Sequence, residues 1–289
     1  MAKQGGTMSS SEAYILNEIQ NPAALRVVFD SIADGNETKE EIQEDTCLPD
    51  GSTEEILGGL VLLRLISRSD FGYEATSLSW DTGDRHRDFQ LSALENLAKE
   101  ATAEDWGKQA AVLLNYEYLI SRNIQEFENN ERALYEDIDY WIKKETDYRP
   151  KGDGEIYKHN DVKFANWTRL VEYLGLVHKV SGRQHTVYPD PELILASIRR
   201  ATENYPVQGE KADIEVRDYL EWLDSNLLRI GYSTGGTVPE ILTQCLFSLV
   251  RSRQIRLVEY GDAGSVTFTH LPNRAHSGID QEANSIKLL

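Results

Sequence analysis

The chain has 289 residues, 40% of them hydrophobic, and a formal net charge of -18. Its length allows two or three small domains, and its mean hydropathy of -0.48 fits a chain that folds in water. No apolar run approaches the roughly 20 residues that cross a bilayer, and the opening "MAKQGGTMSSSEAY" lacks the apolar core of a signal peptide, so a cytoplasmic protein with no membrane partner is expected.

From the N-terminus, residues 1–14 read as a disordered tail. "NPAALRVVFDSIADG" then opens a helix with Asn21 as N-cap and Pro22 in its first turn, and Gly35 closes it. Thr38 and Glu41 have capping-box spacing in "TKEEIQEDT", and Ser52 and Glu55 repeat it in "STEEILGGLVLLRLI". "LISRS" and "YEATSLS" flank Asp70-Phe71-Gly72 as a hairpin. The stretch 81–130 is helical in period; it reads either as a spacer packed on its neighbours or as a surface for a dimer or protein partner.

The order of elements then recurs. "ALYEDIDYWIKKE" is a helix, Asn160 caps a second over Asp161–Leu174, and Gly175 ends it. "LVHKV" and "QHTVY" pair across Ser181-Gly182-Arg183, and "PELILASIRR" reads as a linker helix. A third copy follows. Asp213 is expected to cap a helix through "DIEVRDYLEWLDSNLLRIG", Thr237 and Glu240 to box another, and "QIRLVEY" to pair with "SVTFTHL" across "GDAG". Residues 273–289 read as a flexible tail.

Short helices followed by a hairpin, three times over, resemble the winged-helix superfamily in tandem. The resemblance covers most of residues 15–272 and rests on element order and caps. It implies a mainly α fold with small β-hairpins (α+β): modules at 15–80, 131–200 and 201–272, with a helical spacer at 81–130. Tandem winged helices are also similar to the small acidic subunits that join SMC-type chromosome-organising complexes.

Charge is unevenly spread. Residues 11–80 hold 4 basic and 14 acidic side chains, and 81–140 hold 6 and 14. Residues 141–200 hold 11 and 8, a net of +3, so an anionic partner is most plausible there. Only 12 of the 30 basic residues are Lys, a composition that also resembles adaptation to a salt-rich cytoplasm.

On the helix from Asp161, 100° per residue places Phe164, Trp167, Leu170, Val171 and Leu174 on one arc and Asn166, Arg169 and Tyr173 on another. If that second arc faces a major groove, Asn166 and Arg169 can read bases and Tyr173 can reach a phosphate. Lys158, His159, Lys179, Arg183 and His185 surround it as contacts to double-stranded DNA, and Arg251, Arg253 and Arg256 offer further backbone contacts. Lys163 falls beside the apolar arc and is expected to lie along the helix edge.

No phosphate loop, HExxH helix, GxSxG elbow or GxGxxG fingerprint occurs. Neither cofactor nor metal is expected; His178 and His185 on paired strands are only a weak pair, and Cys47 and Cys245 read as small buried hydrophobes. The acidic and Lys grouping of "GDGEIYKHND" is similar to that of metal-dependent nucleases, but its spacing fits no nuclease pattern. Two functions follow. One is a non-enzymatic DNA-binding protein whose middle module contacts the duplex while its acidic N-terminal part holds a protein partner. The other is an acidic scaffold subunit of a DNA-associated complex, SMC-accessory-like or defence-associated, that works through protein–protein contacts.

Overall fold

The structure, a computed structural model, describes residues 13–102, 105–150, 157–204, 213–232, 237–261, 264–268 and 282–289. Among them are eleven α-helices and thirteen short strands in five sheets of two or three strands, in keeping with the expected α+β class. The expected N-terminal tail falls almost wholly outside the described residues.

Helix α1 (Ile15–Glu18) and a 3-10 turn (Pro22–Ala24) lead into α2 (Leu25–Ala33), α3 (Lys39–Thr46) and α4 (Asp50–Leu62). Strands β1 (Ile66–Arg68) and β2 (Tyr73–Ala75) follow as an antiparallel pair. Three local signals act as expected. Asn21 accepts from the Ala23 N–H, Thr38 and Glu41 form a complete capping box, and Gly35 follows α2 at φ +105°. The second box is a correction: α4 begins at Asp50 behind Pro49, which leaves Ser52 inside the helix. Glu55 instead accepts from the Gln20 and Asn21 N–H groups at 2.6 and 3.0 Å, tying α4 to the N-terminal segment.

The spacer forms α5 (Arg85–Glu100), a short ribbon of β3 (Ala101–Thr102) and β4 (Asp105–Trp106), and α6 (Ala110–Ser121). Every residue of α6 from Ala110 to Ile120 is buried. Its Asn115 and Glu117 are buried with the apolar residues around them, so α6 lies in the interior.

Next come β5 (Glu126–Glu128), α7 (Arg132–Glu145), α8 (Asp161–Tyr173), β6 (Val177–Ser181) and β7 (Gln184–Val187). β7 lies between β5 and β6 in an antiparallel sheet, so the expected hairpin gains a third strand from before residue 131. Asn160 caps α8 by accepting from the Lys163 N–H at 2.9 Å, and Gly175 follows at φ +78°.

The C-terminal part departs most from expectation. Helix α9 (Pro191–Asn204) is no linker: it packs on α10 (Val216–Asn226) and α11 (Glu240–Arg251), burying Leu193, Ile194, Leu195 and Ile198. Asp213 does not cap α10, because Asp213–Glu215 is strand β8; nor do Thr237 and Glu240 form a box, because Thr237–Val238 is strand β9 and Pro239 is the N-cap. Strand β10 (Ile255–Val258) does not pair with β11 (Val266–Phe268). It pairs with β13 (Ser285–Leu288), which also pairs with β8, while β11 lies between β12 (Glu282–Ala283) and the parallel β9. The end of the expected flexible tail is thus a central strand, with Ser285 and Ile286 buried; residues 273–281 lie outside the described residues.

Buried side chains from Ile15 to Ile286 form one continuous cluster. The three groups of helices share a core instead of following one another as separate beads.

Candidate nucleic-acid interface

Helix α8 settles its apolar arc as counted. Phe164, Trp167, Leu170, Val171 and Leu174 are all buried, Trp167 stacks on Phe164 at 5.3 Å, and its indole N–H donates to the Val112 carbonyl of α6. Lys163 lies at the helix edge with its ammonium 4.8 Å from the centre of the Tyr157 ring.

The arc meant for a duplex is covered in part: Asn166 is buried, Tyr173 is half-buried and Arg169 is exposed. Asn166 is only 3% exposed. Its Nδ2 donates to the Leu16 carbonyl at 3.1 Å, and its Oδ1 accepts from Arg169 Nη1 at 2.7 Å. The same Nη1 donates to the Gln20 carbonyl at 2.8 Å. Tyr173 is half-buried, its hydroxyl accepts from the Arg26 N–H, and its ring meets His86 and Phe89 edge-on; burial pushes that hydroxyl up to about 12. The cause is local. A helix of four residues satisfies few of its own carbonyls, and α8 supplies the donors that α1 and its following turn need. Asn166 is therefore corrected from a base contact to a buried tie on the N-terminal segment, while Arg169 and Tyr173 also bond to that segment and to α2.

Both histidines of the expected site are also buried. His159 Nδ1 is 2.6 Å from Asp139 Oδ1 on α7, and Nε2 is 2.8 Å from Asn115 Nδ2 on α6. A neutral ring with the proton on Nδ1 satisfies both partners. His185 stacks on Phe127 at 5.6 Å and donates from Nδ1 to the Arg183 carbonyl. Neither imidazole is available to a phosphate.

Besides Arg169, three of the expected contacts remain at the surface. Lys158, Lys179 and Arg183 are exposed, and among the described residues none has an ion-pair partner. Arg251, Arg253 and Arg256 are exposed as well, where α11 gives way to β10, with Arg253 in the left-handed region at φ +59°.

The histidine pair considered from sequence does not assemble. His178 is paired with Thr186 and His185 with Lys179, neighbouring positions that send the two rings to opposite faces of the sheet. Among the described residues no three His, Cys, Asp or Glu side chains converge on a metal position. Asp153 and Glu155 lie outside the described residues, and Asp161 accepts from the Tyr135 hydroxyl at 2.7 Å. Cys245 is buried as expected, and burial pushes its thiol up. Cys47 is a correction: it is exposed in a left-handed position at the end of α3, φ 56°.

Two buried polar links escaped sequence reading. One is the Asn115–His159–Asp139 chain. The other joins Glu117 of α6 to Arg229, whose Nε donates at 2.9 Å while Nη1 donates to the Ala101 carbonyl. Burial pushes the Glu117 carboxyl up, outweighing the pull of the Arg229 guanidinium. Single polar letters inside apolar helices carry no sign of such partners.

No family model matches the chain, and neither a curated protein nor a solved structure matches it.

Proposed function

We propose that this chain is a non-enzymatic scaffold subunit, built of winged-helix units fused through a common core, that acts mainly through protein–protein contacts. The observation carrying this reading is the burial of Asn166 on α8. In a DNA-reading winged helix the third helix presents free donors to the major groove, whereas Asn166 Nδ2 donates to the Leu16 carbonyl and Arg169, though exposed, has its Nη1 turned to the Gln20 carbonyl. The strand order β5–β7–β6 beside α7 and α8 supports the winged-helix resemblance of the middle unit. The acidic surface of residues 11–80 suits protein partners and repels phosphate. On this reading the chain resembles the acidic subunits of SMC-type and defence-associated complexes.

A duplex enters only at its backbone. Lys158, Lys179 and Arg183 are exposed and unpaired among the described residues, and such cations bind phosphate without reading sequence. Fluorescence anisotropy of the full chain with labelled duplexes of different sequence tests this reading across a salt series. The expected result is equal, weak, salt-sensitive binding that Arg183→Glu and Lys179→Glu remove. Tight binding to one sequence that persists at high salt would favour the middle unit as a DNA reader instead.

A further inference from the structure

We propose that copies of this chain associate head to tail, with the β1–β2 hairpin tip of one copy seated on the β6–β7 tip of the next.

Each tip exposes an apolar side chain. Phe71 between β1 and β2 is 87% exposed, and Val180 at the irregularity in β6 is 56% exposed. Isolated exposed apolar residues are common on protein surfaces, but these two share features that mark a contact. Both tips are braced from beneath. At the first, Ser69 N–H donates to the Gly72 carbonyl, Ser69 Oγ accepts from the Phe71 N–H, and Tyr73 N–H donates to the Glu37 carbonyl. A Cβ at Gly72 would collide with that Glu37 carbonyl, so the close approach depends on glycine. At the second, the Arg183 carbonyl accepts from both the Asn129 N–H and the His185 ring. A braced anchor loses little freedom on binding.

The tips also carry opposite charge. Asp70 and Glu74 flank Phe71, and Glu37 adjoins it, all exposed; Arg68 is drawn back over the Tyr73 ring at 5.8 Å. Lys179 and Arg183 flank Val180 and outnumber the nearby carboxylate of Glu128, which sits on β5 opposite Gln184; Glu126 lies farther along that strand. Exposed ion pairs contribute little energy each, so the apolar contact holds the tips together and the charges select which tip meets which. Two different patches on one chain make a heterologous contact, which extends into chains of copies unless its rotation closes a ring.

Sedimentation velocity of the full chain, from micromolar to millimolar and at low and raised salt, tests the proposal. The wild type is expected to associate with rising concentration, less strongly at raised salt. Phe71→Asp and Val180→Asp alter only exposed side chains and are each expected to stay monomeric with unchanged circular dichroism. Mixed one to one, they are expected to form a discrete dimer, because each supplies the tip the other lacks. A wild type that stays monomeric throughout, or a mixture that does, would overturn the proposal. The scaffold reading rests on α8 and is unaffected by either result.

Discussion

Asn166 and Arg169 show how a polar side chain changes meaning with its partner. Counting along the helix placed them correctly on a shared arc away from the core residues. What counting could not show is that the arc meets carbonyls 150 and 149 residues earlier in the chain. A buried donor without its acceptor loses the desolvation term in full. Asn166→Ala, which strands the Leu16 carbonyl, is therefore expected to lower unfolding stability by about 1–3 kcal/mol in urea titration. Lys158→Ala removes only an exposed side chain and is expected to stay within about 0.5 kcal/mol. Equal effects would mean that the tie does not hold in solution. The Asn115–His159–Asp139 chain is of the same kind, joining α6, α7 and the segment before α8. His159→Ala leaves Asp139 buried against fewer donors and opens space beside Phe164, with an expected loss of about 2–5 kcal/mol.

Elements whose signals lie within four or five residues were legible. Asn21, the Thr38–Glu41 box, Asn160 and the glycines after α2 and α8 each act where the sequence placed them, because a cap needs only its own first turn. Elements fixed by distant pairing were not. Strand β8 took residues that look like a helix start because β13, about seventy positions later, pairs with it; the short segment "SIKL" gives no local sign of that role. A chain ending at residue 281 would leave β8 and β10 unpaired on their facing edges, and rapid amide exchange across β8, β10 and α10 is expected. Protection equal to that of the full chain would show that β13 is dispensable. At the start of α5, Asp84 accepts from the His86 and Arg87 N–H groups. Those backbone bonds hold its carboxyl below the usual carboxylate range. A lowered carboxyl stabilises the fold above its unfolded pKa and loses that contribution as pH falls through the folded one. Asp84→Ala is expected to cost about 1 kcal/mol at neutral pH, with the difference from wild type shrinking in acid. A difference independent of pH would contradict this.

At the scale of the whole molecule, the α+β class was legible and the single continuous core was not. Periodicity reports which face of a helix is apolar, and α6, buried on every side, gives no hint of which neighbours enclose it. Trp167 N–H bonded to Val112, and Glu117 paired with Arg229, tie α6 to two separate segments later in the sequence. A fragment of residues 131–200 lacks both α6 and β5 and is expected to remain unfolded by circular dichroism, while the full chain unfolds in one cooperative transition. The same enclosure sets the limit on function, since the segment that covers α8 belongs to the shared core through Ile15, Leu16 and Ile19. The most direct measurement is selection of bound duplexes from a randomised pool by the full chain. No enriched sequence is expected, because Asn166 is buried and Arg169 Nη1 is turned to the Gln20 carbonyl. An enriched motif that Asn166→Ala or Arg169→Ala abolishes, with the fold intact, would contradict the proposal and favour α8 as a reader of DNA.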